Sequence, residues 1–400
     1  MKIEIAEVRE VLDSRGTPTI EVTLGTAQHV TTASVPSGKS TGSKEALEKR
    51  DPDGRGVSEV CRLLREEVFP ALVVREFSDQ RALDTFLIEL DGTPNKARLG
   101  ANGILAVSIA YAKLSAKNAD RDLWRHIAEQ QGFTPSYPRL YMNVMNGGAH
   151  ADFRLPFQEY IVVVGGVPSE AYKRAQEIFT TLGNILRTIG GTLPMGDEGG
   201  YSPQFGTLER PFEILSELIH NKDEIFLAID AAATEFFENG SYHLLGTAHI
   251  RAELAQTYRA LVEKFGLKSI EDPFSEDDSE GFALLCAEEG NSIIVVGDDL
   301  TVTNPRILKE MVAARAGNAL IIKPNQIGTL TEVYDTVRIA HGAGWKTIVS
   351  HRSGETEDSF IADLAVGVGA YGLKAGAPSQ RVRAVKYERL IAIERELQER

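Results

Sequence analysis

The chain has 400 residues, 42% of them hydrophobic and 25% charged, with a formal net charge of -14. That length allows two domains, or one barrel with an attached domain, and the composition is that of an ordinary globular protein. The acidic balance argues against nucleic acid as a general partner, because a phosphate backbone needs a basic face, although a local site for a small anion can still be positive. Cys61 and Cys286 stand outside any CxxC or Cys/His cluster, so neither a zinc site nor a disulfide framework is expected. The stretch "MKIEIAEVREVLDSRG" lacks the apolar core of a secretion signal. No run approaches the ~18 apolar residues of a membrane span. The expectation is a soluble cytoplasmic protein with no membrane partner.

In chain order, "KIEIAEVREVL" and "TPTIEVTLGTAQHVTTASV" alternate apolar and polar residues, as half-buried antiparallel strands do. "VPSGKSTGSKEAL" is a Gly/Ser-rich loop in which Ser43 is placed to cap a helix. Helical periodicity follows near 57–73 and 78–90, and "ANGILAVSIAYAKLSAKNA" has the small, apolar composition of a buried helix. Gly132, Pro135 and Pro138 crowd together at a domain boundary.

Beyond it, short apolar runs alternate with amphipathic helical stretches, the rhythm of a parallel sheet. "EIFLAID" ends at Asp230, "LKSIED" reaches Glu271, "SIIVVGDD" reaches Asp298, "ALIIK" ends at Lys323, "KTIVSHRS" reaches His351 and "YGLK" ends at Lys374. A chemically active residue at the end of run after run favours a (β/α) barrel, which gathers all its strand ends around one mouth, over an open sheet. No GxGxxG follows a strand, so a dinucleotide site is disfavoured.

Asp230, Glu271 and Asp298 end three successive runs, and three carboxylates brought together repel unless a cation sits among them. All-oxygen ligation suits Mg²⁺. Lys323 ends the next run, where a neighbouring cation would lower its pKa and let it act as a general base. Lys374 can remain charged. This set suits abstraction of a proton beside a carboxylate, with the metal stabilising the enediolate. Glu159 in "LPFQEY" and Glu198 in "PMGDEGGY" are candidates for the acid, since two carboxyls in one site push one pKa up. Arg352 and Ser353 in "SHRSGETED" fit a phosphate.

The motifs "LDSRGTPTIEV", "VPSGKSTGSKEAL", "LGANGILAVS", "MNVMNGGAHAD", "QEY", "GDEGGYSP", "IEDPFSEDD", "GDDLTVTNP", "IIKPNQIGTLTE", "SHRSGETEDSFIADLAVG" and "LKAGAP" occur in this order. Over nearly its whole length the chain resembles the enolases. The resemblance implies an α/β fold, with an N-terminal α+β domain over 1–135 capping a modified (β/α)8 barrel over 136–400. It also implies a homo-oligomer, dimer or octamer, that interconverts 2-phospho-D-glycerate and phosphoenolpyruvate, with two Mg²⁺ per site, the second arriving with substrate. Position by position, Lys323 matches the base and Glu198 the acid, with Glu159 beside it. Asp230, Glu271 and Asp298 match the ligands of the first Mg²⁺, and Ser40 matches a lid-loop ligand of the second. His150 and His351 match site histidines, Gln158 of "QEY" a substrate contact, Arg352 and Ser353 the phosphate pair, and Lys374 a contact to the substrate carboxylate.

Some neighbours depart from the family pattern. Lys39 replaces a small residue beside Ser40, Phe153 and Arg154 follow "HAD", and Val382 and Ala392 replace charged residues that resemble interface salt bridges. Lys39 and Arg154 add positive charge to loops at the site and would suit a more anionic phospho or phosphono ligand, like that of carboxyphosphonoenolpyruvate synthase. The other reading of these changes is drift on surface loops and a repacked interface. A non-catalytic binding or structural protein on the same fold is the alternative of another class. An intact lysine beside three acids counts against it.

Overall fold

The computed structural model describes residues 1–39, 42–151, 154–190, 193–220, 222 and 224–398. Strands β1 (Ile5–Leu12), β2 (Pro18–Gly25) and β3 (Val30–Ser34) form an antiparallel sheet in that order. Ile20, Val22, Leu24 and Ala33 are buried on one face, as the alternation in sequence requires. The apolar helix Ala101–Asn118 packs on this sheet. A helical run from Ser58 to Val73 and the helix Gln80–Asp91 complete the α+β unit. The run widens to a π turn at Leu64–Val68, just before Pro70, whose ring has no N–H to give to the preceding turn.

The helix expected from Ser43 does not form; the next helix starts at Ser58. The backbone N–H of Ala46 donates to the Gln326 carbonyl and that of Leu47 to the Asn95 carbonyl, both at 2.8 Å. Partners outside the segment have taken the groups a helix would pair internally.

Eight strands close the barrel. They are β4 (Arg139–Asn146), β5 (Glu159–Val164), β6 (Ile225–Asp230), β10 (Leu267–Glu271), β11 (Ile294–Gly297), β12 (Ala319–Ile322), β13 (Lys346–Ser350) and β14 (Gly372–Lys374), in this order around the ring. The short strands β7 (Phe237–Glu238), β8 (Ser241–Leu244) and β9 (Thr247–His249) form a separate antiparallel sheet after β6.

The barrel departs from a uniform β/α ring in one respect. Strand β5 runs antiparallel to both β4 and β6, while the other pairs are parallel. It therefore descends from the mouth, and the helix Pro168–Gly190 climbs back. The helix Arg210–Ile219 then descends to the start of β6. The segments between β4 and β5 and between these two helices consequently lie at the mouth.

Inside the barrel, Ile161, Ala228, Val296, Ala319, Ile321 and Ile348 form one apolar cluster. Side chains two apart on a strand share a face. Glu159, Asp230, Asp298 and Lys323 each stand two residues from a member of that cluster, so the strands aim all four into the barrel axis.

The N-terminal unit covers the mouth through named contacts. Ser37 and Gly354 exchange backbone hydrogen bonds of 2.8 and 2.9 Å. Lys113 pairs with Asp358 at 2.7 Å. The buried Asp84 accepts from Ser108 Oγ at 2.7 Å and from the Thr331 N–H at 2.8 Å, so it ties the helices Gln80–Asp91 and Ala101–Asn118 to a barrel helix. Burial raises its carboxyl from the usual 3.8 to about 6, although hydrogen bonds from Ser108 and Thr331 pull the other way. The folded state thus holds this proton more tightly than the unfolded chain. The stability it lends is full below the unfolded value and lost as pH rises through about 6. An Asp84→Asn variant cannot ionise. Relative to wild type it should gain about 3 kcal/mol between about pH 4 and about pH 8. Urea unfolding at the two pH values checks this, and a pH-independent difference would contradict it.

Candidate functional site

Register places three carboxylates side by side at the mouth. Glu159 is paired with Asp230, and Asp230 with Glu271, on the adjacent strands β5, β6 and β10. Lys374 ends β14, four positions from β10 in the ring of eight, and its side chain crosses the barrel interior. Its ammonium lies 2.8 Å from both Glu271 oxygens, 3.2 Å from Asp230 Oδ2 and 3.2 Å from Glu159 Oε1. Burial favours a neutral amine, but Glu159, Glu271 and Asp230 outweigh it and hold Lys374 well above the usual lysine value. Burial, reinforced by Asp230, raises Glu271. Asp230 also accepts from the Ala232 N–H at 3.0 Å and from Gln158 Nε2 at 3.3 Å.

Further around the ring, Lys323 at the end of β12 donates to Asp298 Oδ2 at the end of β11. Gln326 Nε2 donates to the other oxygen at 3.0 Å, and the Lys323 N–H donates to Thr303 Oγ1 at 2.9 Å. Burial alone would lower Lys323, but the Asp298 charge raises it above the usual value. The lowered value expected from the sequence belongs to a site with a cation beside the lysine. Beside Asp298 stand two acids not singled out in the sequence. Asp272 accepts the N–H groups of Asp298 and Asp299 at 2.8 and 2.9 Å, and burial with the Asp298 charge pushes Asp299 up to about 7.

The opposite wall carries Glu198. The segment Met195–Tyr201 folds back on itself, with Met195 bridging Tyr201, and docks on β4 through Tyr201, which bridges Met145 and accepts the Asn146 N–H at 2.8 Å. Asn143 Nδ2 donates to Glu198 Oε2 at 3.0 Å. His351 Nε2 faces the same oxygen at 3.3 Å, and His150 Nδ1 lies 3.7 Å from Oε1. Arg383 donates to His351 Nδ1, so the neutral ring carries its proton on Nε2, toward Glu198. Burial pushes His351 down to about 4 and also lowers His150. Burial, then the Glu198 charge, raises Glu159 well above the usual carboxylate value. The two glutamates cannot both ionise cheaply, and the proton the pair holds resides on the Glu159 side. The reach of His150 depends on "NGGAH": a Cβ on Gly147 would meet the Phe157 carbonyl at 2.3 Å, and Gly148 has φ +46°.

Arg352 forks onto Glu45 at 3.0 and 3.2 Å and also donates to Asn325 Oδ1 at 3.3 Å. Ser353 Oγ accepts from the Lys39 N–H at 2.8 Å and from Arg15 at 3.3 Å. Arg383, fully buried on the helix Arg381–Gln398, donates to the carbonyls of Arg352 and Ser353 at 2.6 and 2.8 Å and so fixes this loop. Ser40 and Phe153 lie outside the described residues.

The sequence-derived set therefore converges on one cavity of about 40 Å³, lined by His150, Gln158, Glu159, Glu198, Asp230, Asp298, Lys323, His351, Arg352, Ser353 and Lys374 among others. Glu271 lies behind the Lys374 ammonium. Among the described residues, two sets bring three ligand atoms within 4.8 Å of one another: His150, Glu159 and Glu198, and Asp272, Asp298 and Asp299. The expected trio Asp230, Glu271 and Asp298 is not one of them; Lys374 pairs with its first two members and Lys323 with the third. Its donors are buried and all oxygen, which fits a hard divalent cation. Gln326, Asn143, Glu45, Asp272, Asp299 and Arg383 were missed as site residues, although most lie inside the quoted motifs. Only their three-dimensional partners set them apart.

The chain matches two family models. One, described as the enolase N-terminal domain, matches residues 3–127, and the other, the enolase C-terminal TIM barrel domain, matches residues 135–400. The capped barrel with one reversed strand and the acid and lysine row at its mouth agree with both matches: the chain belongs to the enolase family.

Proposed function

We propose that the protein is a magnesium-dependent hydro-lyase that interconverts 2-phospho-D-glycerate and phosphoenolpyruvate plus water. One observation carries this reading: a partly buried lysine and a buried pair of glutamates on opposite sides of one barrel mouth. Strands β12 and β5, which present Lys323 and Glu159, are four positions apart in a ring of eight. A substrate between them meets a base on one face and an acid on the other, as removal of a proton and a hydroxyl from adjacent carbons requires.

Lys323 takes the C2 proton in this scheme. It must first be neutral, which follows when the Asp298 carboxylate is engaged elsewhere and burial governs the amine. Asp230, Glu271 and Asp298 would hold one Mg²⁺, and Ser40 would join a second on arrival of substrate; bound there, magnesium stabilises negative charge developing on the substrate carboxylate. Lys374 keeps its charge and pairs with that carboxylate. Arg352 and Ser353 take the phosphate once Arg352 leaves Glu45. The Glu159–Glu198 pair delivers its proton to the departing 3-hydroxyl, with Glu198 aimed by Asn143, His351 and His150. Gln158 steadies Asp230.

Purified protein with Mg²⁺ should convert 2-phosphoglycerate to a product absorbing in the ultraviolet, and a chelator should stop it reversibly. Lys323→Ala should lower kcat by about 10²–10⁴-fold, the range for loss of a positioned base. Folded, metal-binding protein without turnover would sink this reading. It would favour a doubly anionic phosphonate substrate, for which the Lys39 ammonium at the mouth is the supporting observation. A second test separates base from acid. In deuterium oxide, Glu198→Gln should still exchange the C2 proton through Lys323 while dehydration falls by about 10²-fold or more. Parallel loss of both would contradict the division of roles.

A further inference from the structure

Lys39 closes a circuit across the mouth. Its segment is pinned to one wall, where Ser37 and Gly354 exchange two backbone hydrogen bonds and the Lys39 N–H donates to Ser353 Oγ. Its side chain reaches the other wall, where Nζ lies 2.9 Å from Asp197 Oδ2 and 3.3 Å from the Ala149 carbonyl. Asp197 immediately precedes Glu198, and Ala149 immediately precedes His150. The Asp197 N–H donates to the His150 carbonyl at 3.2 Å, so these two loops are already joined to each other. Lys39 joins both to the Arg352–Ser353 loop. The pair is partly exposed, with side chains 49% and 31% accessible. Such pairs contribute little to global stability, so the effect is local.

We propose that Lys39 and Asp197 form a positioning pair that sets the His150 and Glu198 loops against the Arg352–Ser353 loop. This deepens the reading above, since it takes those residues to be the working site. The pair touches no reacting atom. It acts by holding the acid side of the site at a set distance from the phosphate side, and misplacement there is costly to turnover.

The test uses Lys39→Met, Asp197→Asn, the double variant and Lys39→Arg in the full chain. Hydrogen–deuterium exchange of peptides spanning 145–151 and 193–201 should rise by about three- to fivefold in either single variant, the range expected for losing one exposed ion pair. The double variant should show no further rise, and Lys39→Arg should restore protection. With 2-phosphoglycerate, kcat/KM should fall by about tenfold to the same level in both single variants and in the double. Unchanged exchange in both peptides overturns the proposal. So does an impaired Lys39→Met beside an unimpaired Asp197→Asn, which would make Lys39 a substrate contact instead. If wild type does not turn over 2-phosphoglycerate, the proposed reaction fails, but the exchange experiment still decides the pair.

Discussion

Everything at the mouth depends on the cost of burying like charges together. Glu159, Asp230 and Glu271 form one row on three adjacent strands, with relative exposures of 2%, 4% and 3%. Such a row is untenable without positive charge inside it. Lys374, itself 2% exposed, spans the barrel to supply that charge, and Lys323 does the same for Asp298. Two lysines thus serve as internal counter-ions to the buried acids. In the reaction proposed above each of these lysines leaves a carboxylate before it meets substrate, so the site exchanges partners rather than opening an empty space.

The same logic reaches the N-terminal unit. Arg352 meets the planar carboxylate of Glu45 in the two-point manner that would also suit a phosphate. Glu45 lies in the segment between Ser37, pinned to the barrel, and Leu47, pinned to Asn95. The cover and the barrel are joined through the arginine proposed above to take a phosphate. A ligand competing for Arg352 thereby acts on the cover as well.

Much of this was legible in the residues. The six barrel runs that end at Asp230, Glu271, Asp298, Lys323, His351 and Lys374 fold as strands with those residues at or just past their ends. Period-two alternation then aims Asp230, Asp298 and Lys323 inward, so a one-dimensional pattern became a three-dimensional cluster. Strands β4 and β5 escaped because "RLYMNVMN" and "EYIVVV" carry no clean alternation, being buried on both faces. The reversal of β5 could not be read at all, since strand direction is a property of connections. The missing helix after Ser43 shows the limit from the other side. Capping chemistry was present, but tertiary partners claimed the backbone. The raised Lys323 and Glu159 likewise depend on which charge ends beside which, and spacing does not record that.

The reversed strand also assigns a task to the long helix that follows it. Pro168–Gly190 has 23 residues and at 1.5 Å per residue runs roughly 34 Å, enough to travel from the closed end of the barrel back past its rim. Only that return journey brings Glu198 level with Glu159, which stands at the top of the strand going the other way. The helix is a ruler. One residue more or fewer would advance its end by about 1.5 Å and turn it by about 100°, sending the loop beyond it to a different part of the rim. The spacing of two buried glutamates is thus tied to the length of a helix that carries neither of them.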